Sequence, residues 1–270
     1  MPAGGTGLVL RGLRKEPATI GKWHLGWDLT YKEGKAKTVD NIDFTKRVAN
    51  GPTDRGFDYF YGLTSPSGPP HLYMVNDMAE KQPNTRFEES GGGLYKIKGG
   101  IGHSDWSADG MQPHLADKML EYLDENKDSD KPFFLYMALT APHIPLFPSK
   151  EFKGKSKIGD YGDLVMMIDD IVGRVNRKLK EIGKYDNTIV MFAADNGCAG
   201  YINMDRINRK GHYPSYIYRG YKSHGWEGGH RIPFILSWGD RYGHVTDNSL
   251  VSLTDLYATF ADMLGYRIDD

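Results

Sequence analysis

Thiol chemistry is nearly absent from this chain: one cysteine, Cys198, stands in 270 residues. That excludes an internal disulfide framework and a cysteine-rich zinc site, while leaving the redox compartment open. Long apolar runs are missing as well. No stretch approaches the ~18 residues of a membrane span, and Met1 to Arg14 lack both a basic start and an unbroken apolar segment, so no signal peptide is read there. Nor does one sign of charge dominate. The chain has 34 Lys and Arg against 35 Asp and Glu, a formal net charge of -1. Its surface therefore has no global bias toward nucleic acid or anionic membrane, and any anion site must be local. Internal repeats and low-complexity tracts are lacking. Gly91 to Gly102 contains lysines without the Gly-Lys-Ser/Thr ending of a phosphate-binding loop.

What is present is enough for a sizeable core, since 39% of residues are hydrophobic. Residues 1–17 are glycine-rich, then basic, and without periodicity; residues 18–270 are read as one domain. Ala18 to Gly21 is a short strand. Residues 27–112, rich in Gly, Pro, Asn and Asp, predict long irregular excursions. The pattern then sharpens. Leu115, Met119, Tyr122 and Leu123 form a helical stripe within His114 to Asn126. Leu164, Met167, Ile168, Ile171, Val172, Val175 and Leu179 do the same within Asp163 to Ile182, and Gly183 is placed to cap that helix. Buried strands are predicted at Phe133 to Leu139, Thr188 to Ala194 and Ile232 to Trp238, with a closing helix at Leu253 to Leu264. Alternating strands and helices imply an α/β fold, a mostly parallel sheet flanked by helices. Ligands of such sheets gather beyond the carboxyl ends of the strands.

Three polar clusters lie at such ends. Lys22 and His24 follow the first strand; a fixed ammonium beside an imidazole suits a bound oxyanion. His143, between Pro142 and Pro145, follows Phe133 to Leu139, and reads equally as a packed histidine or as a proton donor to a leaving oxygen. Asp195 and Asn196 follow Thr188 to Ala194. They offer hard oxygen ligands suited to calcium or magnesium, although Asp-Asn-Gly alone is ordinary turn chemistry. A fourth cluster, His212 to Pro233, interleaves cations, glycines and aromatics, either as the rim of an anion site or as a solvated loop. Asp169 and Asp170 belong to the polar edge of a helix. The Asp160 to Asp163 segment reads as helix capping. Cys198 reads as a buried small hydrophobe.

Together these clusters resemble the type I sulfatases, a branch of the alkaline phosphatase superfamily. The resemblance rests on Ile20 to Gly26 (Ile-Gly-Lys-Trp-His-Leu-Gly), Gly56 to Gly62, Ala141-Pro142-His143, Asp195-Asn196-Gly197, and Arg219 to Lys222 with Trp226 to Gly229, in family order over residues 18–265. It implies an alkaline-phosphatase-like sulfatase core and hydrolysis of a sulfate ester, of a sulfated small molecule or a sulfated carbohydrate. By the resemblance, Lys22 and Lys222 bind sulfate oxygens, and His24 contacts the nucleophile. His143 protonates the leaving group, and Asp195 and Asn196 ligate Ca2+.

The family's formylglycine nucleophile comes from a Cys-x-Pro-Ser-Arg motif upstream of the Gly-Lys-Trp-His stretch, and this chain contains no such motif. An Asp-Asp pair that completes the family's calcium site is also absent. The expectation is therefore a truncated core, lacking the nucleophile segment and the C-terminal subdomain, with weakly held calcium and an incomplete sheet prone to self-association. The alternatives are a catalytically inactive anion-binding remnant or truncated gene product, a module that complements a separate N-terminal fragment, and a phosphoesterase or phosphoethanolamine transferase of the same superfamily. The Lys22, His24 and Lys222 set argues against the last. Nucleic acid and a membrane span are not expected. Family members are commonly exported or lysosomal, and the compartment of this chain stays open.

Overall fold

A computed structural model describes residues 16–65 and 67–268; the expectation of an irregular Met1 to Lys15 lies outside the described residues. The strands are β1 (Glu16–Lys22), β2 (Tyr59–Leu63), β3 (Met74–Val75), β4 (Met78–Ala79), β5 (Thr85–Phe87) and β6 (Gly100–Gly102). Helix α1 (Met111–Glu125), strand β7 (Phe133–Ala138), helix α2 (Asp160–Glu181) and strand β8 (Ile189–Ala193) follow. The remainder holds α3 (Met204–Asn208), α4 (Glu227–His230), β9 (Phe234–Trp238) and α5 (Asp255–Met263).

The main sheet runs β4-β3-β2-β1-β7. Strand β1 is parallel to both neighbours, with Ile20 opposite Tyr61 on one side and Met137 on the other. The β3 and β4 additions are antiparallel, so the sheet is mixed. Ala18, Thr19 and Ile20 are all fully buried, as expected of a strand covered on both faces.

Residues 27–112 are not wholly irregular. They contain β2, whose aromatics alternate between two cores as strand side chains must. Tyr61 packs with Ile20, Leu115 and Met119 under α1, and Phe60 packs with Trp23, Ile42, Phe44 and Leu72 on the opposite face. The excursion around it thus forms the second cover of the sheet. A five-residue strand buried on both sides shows no polar alternation, which is why its surroundings mask it.

Helix α1 buries Leu115, Met119 and Tyr122 against the sheet. Helix α2 lies outside it, joining Leu164, Met167 and Ile171 to Ala116, and Val175 and Leu179 to Leu123. Gly183, at φ +69°, follows its end. Its start is not capped by a side chain; instead the buried Asp163 carboxylate accepts from the Gly154 and Ser156 amides at 2.7 and 2.5 Å and holds the preceding loop. Asp169 is exposed, and Asp170 pairs with Arg177 at 3.6 Å, both on the polar edge.

Strands β8 and β9 pair antiparallel with each other, Met191 opposite Leu236, as a separate two-stranded sheet. Among the described residues neither is hydrogen-bonded to β7. Val190 nonetheless packs on the same Leu123, Val175 and Leu179 cluster as Leu135 and Met137 of β7, so one helical layer underlies both sheets. No helix among the described residues is long and apolar enough to cross a membrane.

Candidate anion-binding site

Lys22 is the last residue of β1, half-buried, and the chain leaves the sheet through Trp23, whose amide donates to the Leu63 carbonyl at 3.0 Å. Trp23 is buried against Phe57 and anchors this turn. His24 then adopts φ +49°, a left-handed conformation that costs a non-glycine residue and concentrates at functional sites. His143 follows β7 and sits between two cis peptide bonds, Ala141–Pro142 and Ile144–Pro145. Its amide donates to Thr140 O at 3.0 Å. Its Nδ1 lies 2.7 Å from the Ile144 carbonyl, which can only accept, so Nδ1 carries a proton and Nε2 is left for the site.

Asp195 and Asn196 follow β8, and Lys222 belongs to the glycine-rich loop before α4. Backbone contacts weave the two loops together. The Gly197 amide donates to Gly229 O at 2.9 Å and the Lys222 amide to Cys198 O at 2.8 Å. A Cβ at Gly197 would lie 2.0 Å from Gly228 O, and one at Gly228 would lie 2.2 Å from Gly220 O, so both positions must be glycine.

Electrostatic coupling shows which of these side chains the fold brings together. The Lys22 ammonium is lowered from its ordinary value by burial, with Asp195 opposing and Lys222 adding to the fall. His24 is lowered by burial, then by Lys22 and Lys222. His143 is lowered by burial; its bond to Ile144 O opposes this, Lys222 and Lys22 add to it, and Asp195 opposes. Lys22, His24, His143, Asp195 and Lys222 therefore share one electrostatic neighbourhood, with Asn196 adjacent to Asp195. Two ammonium groups and two imidazoles facing one carboxylate leave net positive charge for an anion.

The donors suit a calcium ion in kind but not in number. Asp195 supplies a carboxylate; the Asn196 amide nitrogen is turned to Gly197 O at 3.0 Å. Among the described residues no group of three or more His, Cys, Asp or Glu converges to hold a metal, and calcium takes about six to eight oxygens.

Cys198 lies near this loop, yet burial pushes its thiol up, and its Sγ faces the Tyr161 hydroxyl at 3.6 Å. It is half-buried, not the fully buried small hydrophobe expected. Sequence reasoning passed over Tyr201, whose ring meets His143 edge-on at 6.3 Å, and Gln112, which holds the His143 loop from α1. Neither carries a spacing signal, because both act across the fold.

The sulfatase family pattern matches residues 9–266 of the chain. The chain is 29% identical to an N-acetylgalactosamine-6-O-sulfatase of Bacteroides thetaiotaomicron over 91% of its own length and 53% of the relative's. It is 30% identical to an arylsulfatase of Hemicentrotus pulcherrimus, over 91% and 40% respectively. It thus spans about half the length of the curated relatives it matches. A solved sulfatase structure from work on glycosaminoglycan metabolism by Bacteroides thetaiotaomicron superposes with a TM-score of 0.80 at 25% identity, over 98% of this chain and 61% of that one.

Proposed function

From the premise that this chain belongs to the sulfatase family, we propose that it carries part of a site for hydrolysing a sulfate ester. The observation that carries the reading is the shared neighbourhood of Lys22, Lys222 and His143. In it, Lys22 and Lys222 bind sulfate oxygens from two sides, Lys22 from the sheet and Lys222 from the glycine-rich loop. His143 addresses the ester oxygen with Nε2, its other nitrogen being committed to Ile144 O. Burial and two lysines hold its imidazole neutral in the free site. An arriving anion offsets the lysine charge and favours the imidazolium, so proton uptake accompanies binding and the proton is then available to the leaving alcohol. His24 flanks Lys22 and is assigned the position from which the family's nucleophile would be contacted. Asp195 and Asn196 would offer two oxygen ligands to Ca2+, which when bound would offset charge on the sulfate; with so few donors it would be weakly held.

Sulfated carbohydrate is the proposed substrate class. Exposed Tyr213, Tyr216, Tyr221 and Trp226 lie on the same chain segment as Lys222, with Arg219 over the Trp226 ring at 3.9 Å, and exposed Tyr201 meets His143 edge-on, placing aromatic side chains beside cations, as sugar rings bearing sulfates require. Self-association is proposed through the open edge of β7 and through β9, where Ile235 and Leu236 are exposed.

The test is hydrolysis of a chromogenic aryl sulfate and of a sulfated oligosaccharide with calcium, by this chain and by any longer product of its gene. Turnover that falls about 10²–10⁴-fold in His143→Ala supports the assignment; turnover indifferent to that change overturns it. A second reading, an anion-binding remnant without turnover, is favoured by one observation: the single cysteine is half-buried with its Sγ on the Tyr161 hydroxyl, and burial pushes its thiol up. Sulfate binding without hydrolysis in every form would establish that reading.

A further inference from the structure

Gln112, the second residue of α1, is 2% exposed. A carboxamide buried to this degree needs partners, and its partners lie at one place, the point where β7 gives way to the loop carrying His143. With its oxygen toward that loop, Gln112 accepts from the Ala141 amide at 2.8 Å and the Thr140 amide at 3.2 Å, and it also contacts the Thr140 hydroxyl. Thr140 is itself buried, and its hydroxyl also reaches Met111 Sδ at 3.9 Å. The same residue is tied to the histidine, because His143 N–H donates to Thr140 O. One acceptor oxygen on a helix thus holds two consecutive amides, and the next hydrogen bond along the chain sets the His143 backbone.

The helix that presents Gln112 is not free to shift. Met111, Leu115 and Met119 are buried against the sheet, while Ala116 packs with Leu146 and against Leu139, Ala141 and Ile144 of the loop itself. We infer that Gln112 is a positioning residue for His143: by clamping the Thr140–Ala141 backbone it holds the imidazole with Nδ1 on the Ile144 carbonyl and Nε2 facing the site. Nothing brings Gln112 to a bound anion, so its effect passes through the loop. The inference rests on the placement of His143 in the proposed site, but it is read from the ring and not from turnover, so failure to hydrolyse a sulfate ester would leave it standing.

The experiment is ¹⁵N NMR of the histidine-labelled chain, with His143 assigned by its disappearance in His143→Gln. Gln112→Met keeps the volume and removes the acceptor; Gln112→Glu keeps an acceptor oxygen. In Gln112→Met the Nδ1 resonance is expected to lose its hydrogen-bonded, protonated position, whereas Gln112→Glu retains it. If Gln112→Met does not fold, Gln112→Asn, whose shorter amide cannot span both donors, replaces it. Unchanged His143 resonances in a folded Met or Asn variant overturn the inference. So does the same displacement in Gln112→Glu, which would deny the acceptor its role, and so does unfolding of both the Met and Asn variants, which would make Gln112 a folding residue instead.

Discussion

The two ends of the chain solve the same problem by different means. From β1 to α2, side chains hold the fold: Phe60, Tyr61, Leu115, Met119 and Leu164 are among many that are essentially inaccessible. Beyond α2, the buried apolar residues among those described are Ile202, Ile207 and Ala261, while Ile235 is 60% exposed and Leu250 98%. There the backbone does the holding, through the Gly197–Gly229 and Cys198–Lys222 bonds. Lys22, His24 and His143 thus stand on a packed core, whereas Asp195, Asn196 and Lys222 stand on interlocked loops. Apolar burial resists unfolding as a unit, but exposed hydrogen-bonded loops open locally. Lys22 and the two imidazoles are accordingly fixed, and the side of the site that carries Asp195, Asn196 and Lys222 is the part that gives.

The sharpest way to break this contrast is a pair of truncations. Phe60→Ala should cost about 3–5 kcal/mol in urea unfolding, and Ile235→Ala no more than about 0.5 kcal/mol; comparable losses would show that the second region is also held by side-chain packing. Next comes Gly228→Ala, whose Cβ would press on Gly220 O. We expect about 1–3 kcal/mol of strain, seen as faster hydrogen exchange at the Gly197 and Lys222 amides with β1 unchanged. Equal acceleration in β1 would mean that the weave and the core unfold together.

Acid sharpens the comparison from the other side. His71 is buried, donates its Nε2–H to Lys98 O at 2.7 Å, and is lowered by burial with that bond opposing; His114 is lowered by burial, with Glu80 opposing. For a depressed histidine the unfolded chain binds the extra proton. The stability these residues contribute is therefore fully present above about 6.5 and is lost as pH falls below it, at up to about 1.4 kcal/mol per pH unit for each group. Thermal melts from pH 7.5 to 5 should show this fall, and His71→Gln should flatten it. The smallest effect is expected from Arg231→Ala. Its pair with Glu227 at 2.6 Å is about half exposed on both sides, so solvent and salt screen it and its contribution vanishes in high salt. A larger loss would mean that surface ion pairs, and not the backbone, hold the second region.

Helices α1 and α2 were legible because each buries one stripe, which leaves a three- and four-residue period in the chain. Lys22, His24, His143, Asp195 and Asn196 stood out in the chain as polar clusters at strand ends, and they and Lys222 through their resemblance to the sulfatases. Strand β2 was not, since burial on both faces removes the alternation and Gly62 within it reads as a break. The antiparallel pairing of β8 with β9 was also hidden: direction depends on how the chain crosses over between strands, and apolar runs carry no direction. Gln112 and Asp163 were hidden for a third reason, being polar groups whose partners are backbone amides of distant or preceding loops, which no side-chain pattern marks.

The interlocked glycines have a consequence for anyone reading this protein through its variants. In a mutational scan, Gly197, Gly228 and Gly229 would score as positions that accept no change, as Lys222 and Asp195 would if the proposed roles hold. They would look like members of the reaction chemistry while offering no functional group at all. Intolerance at such positions measures the room between two chain segments, and only a probe of shape, such as amide exchange, separates it from intolerance that measures chemistry.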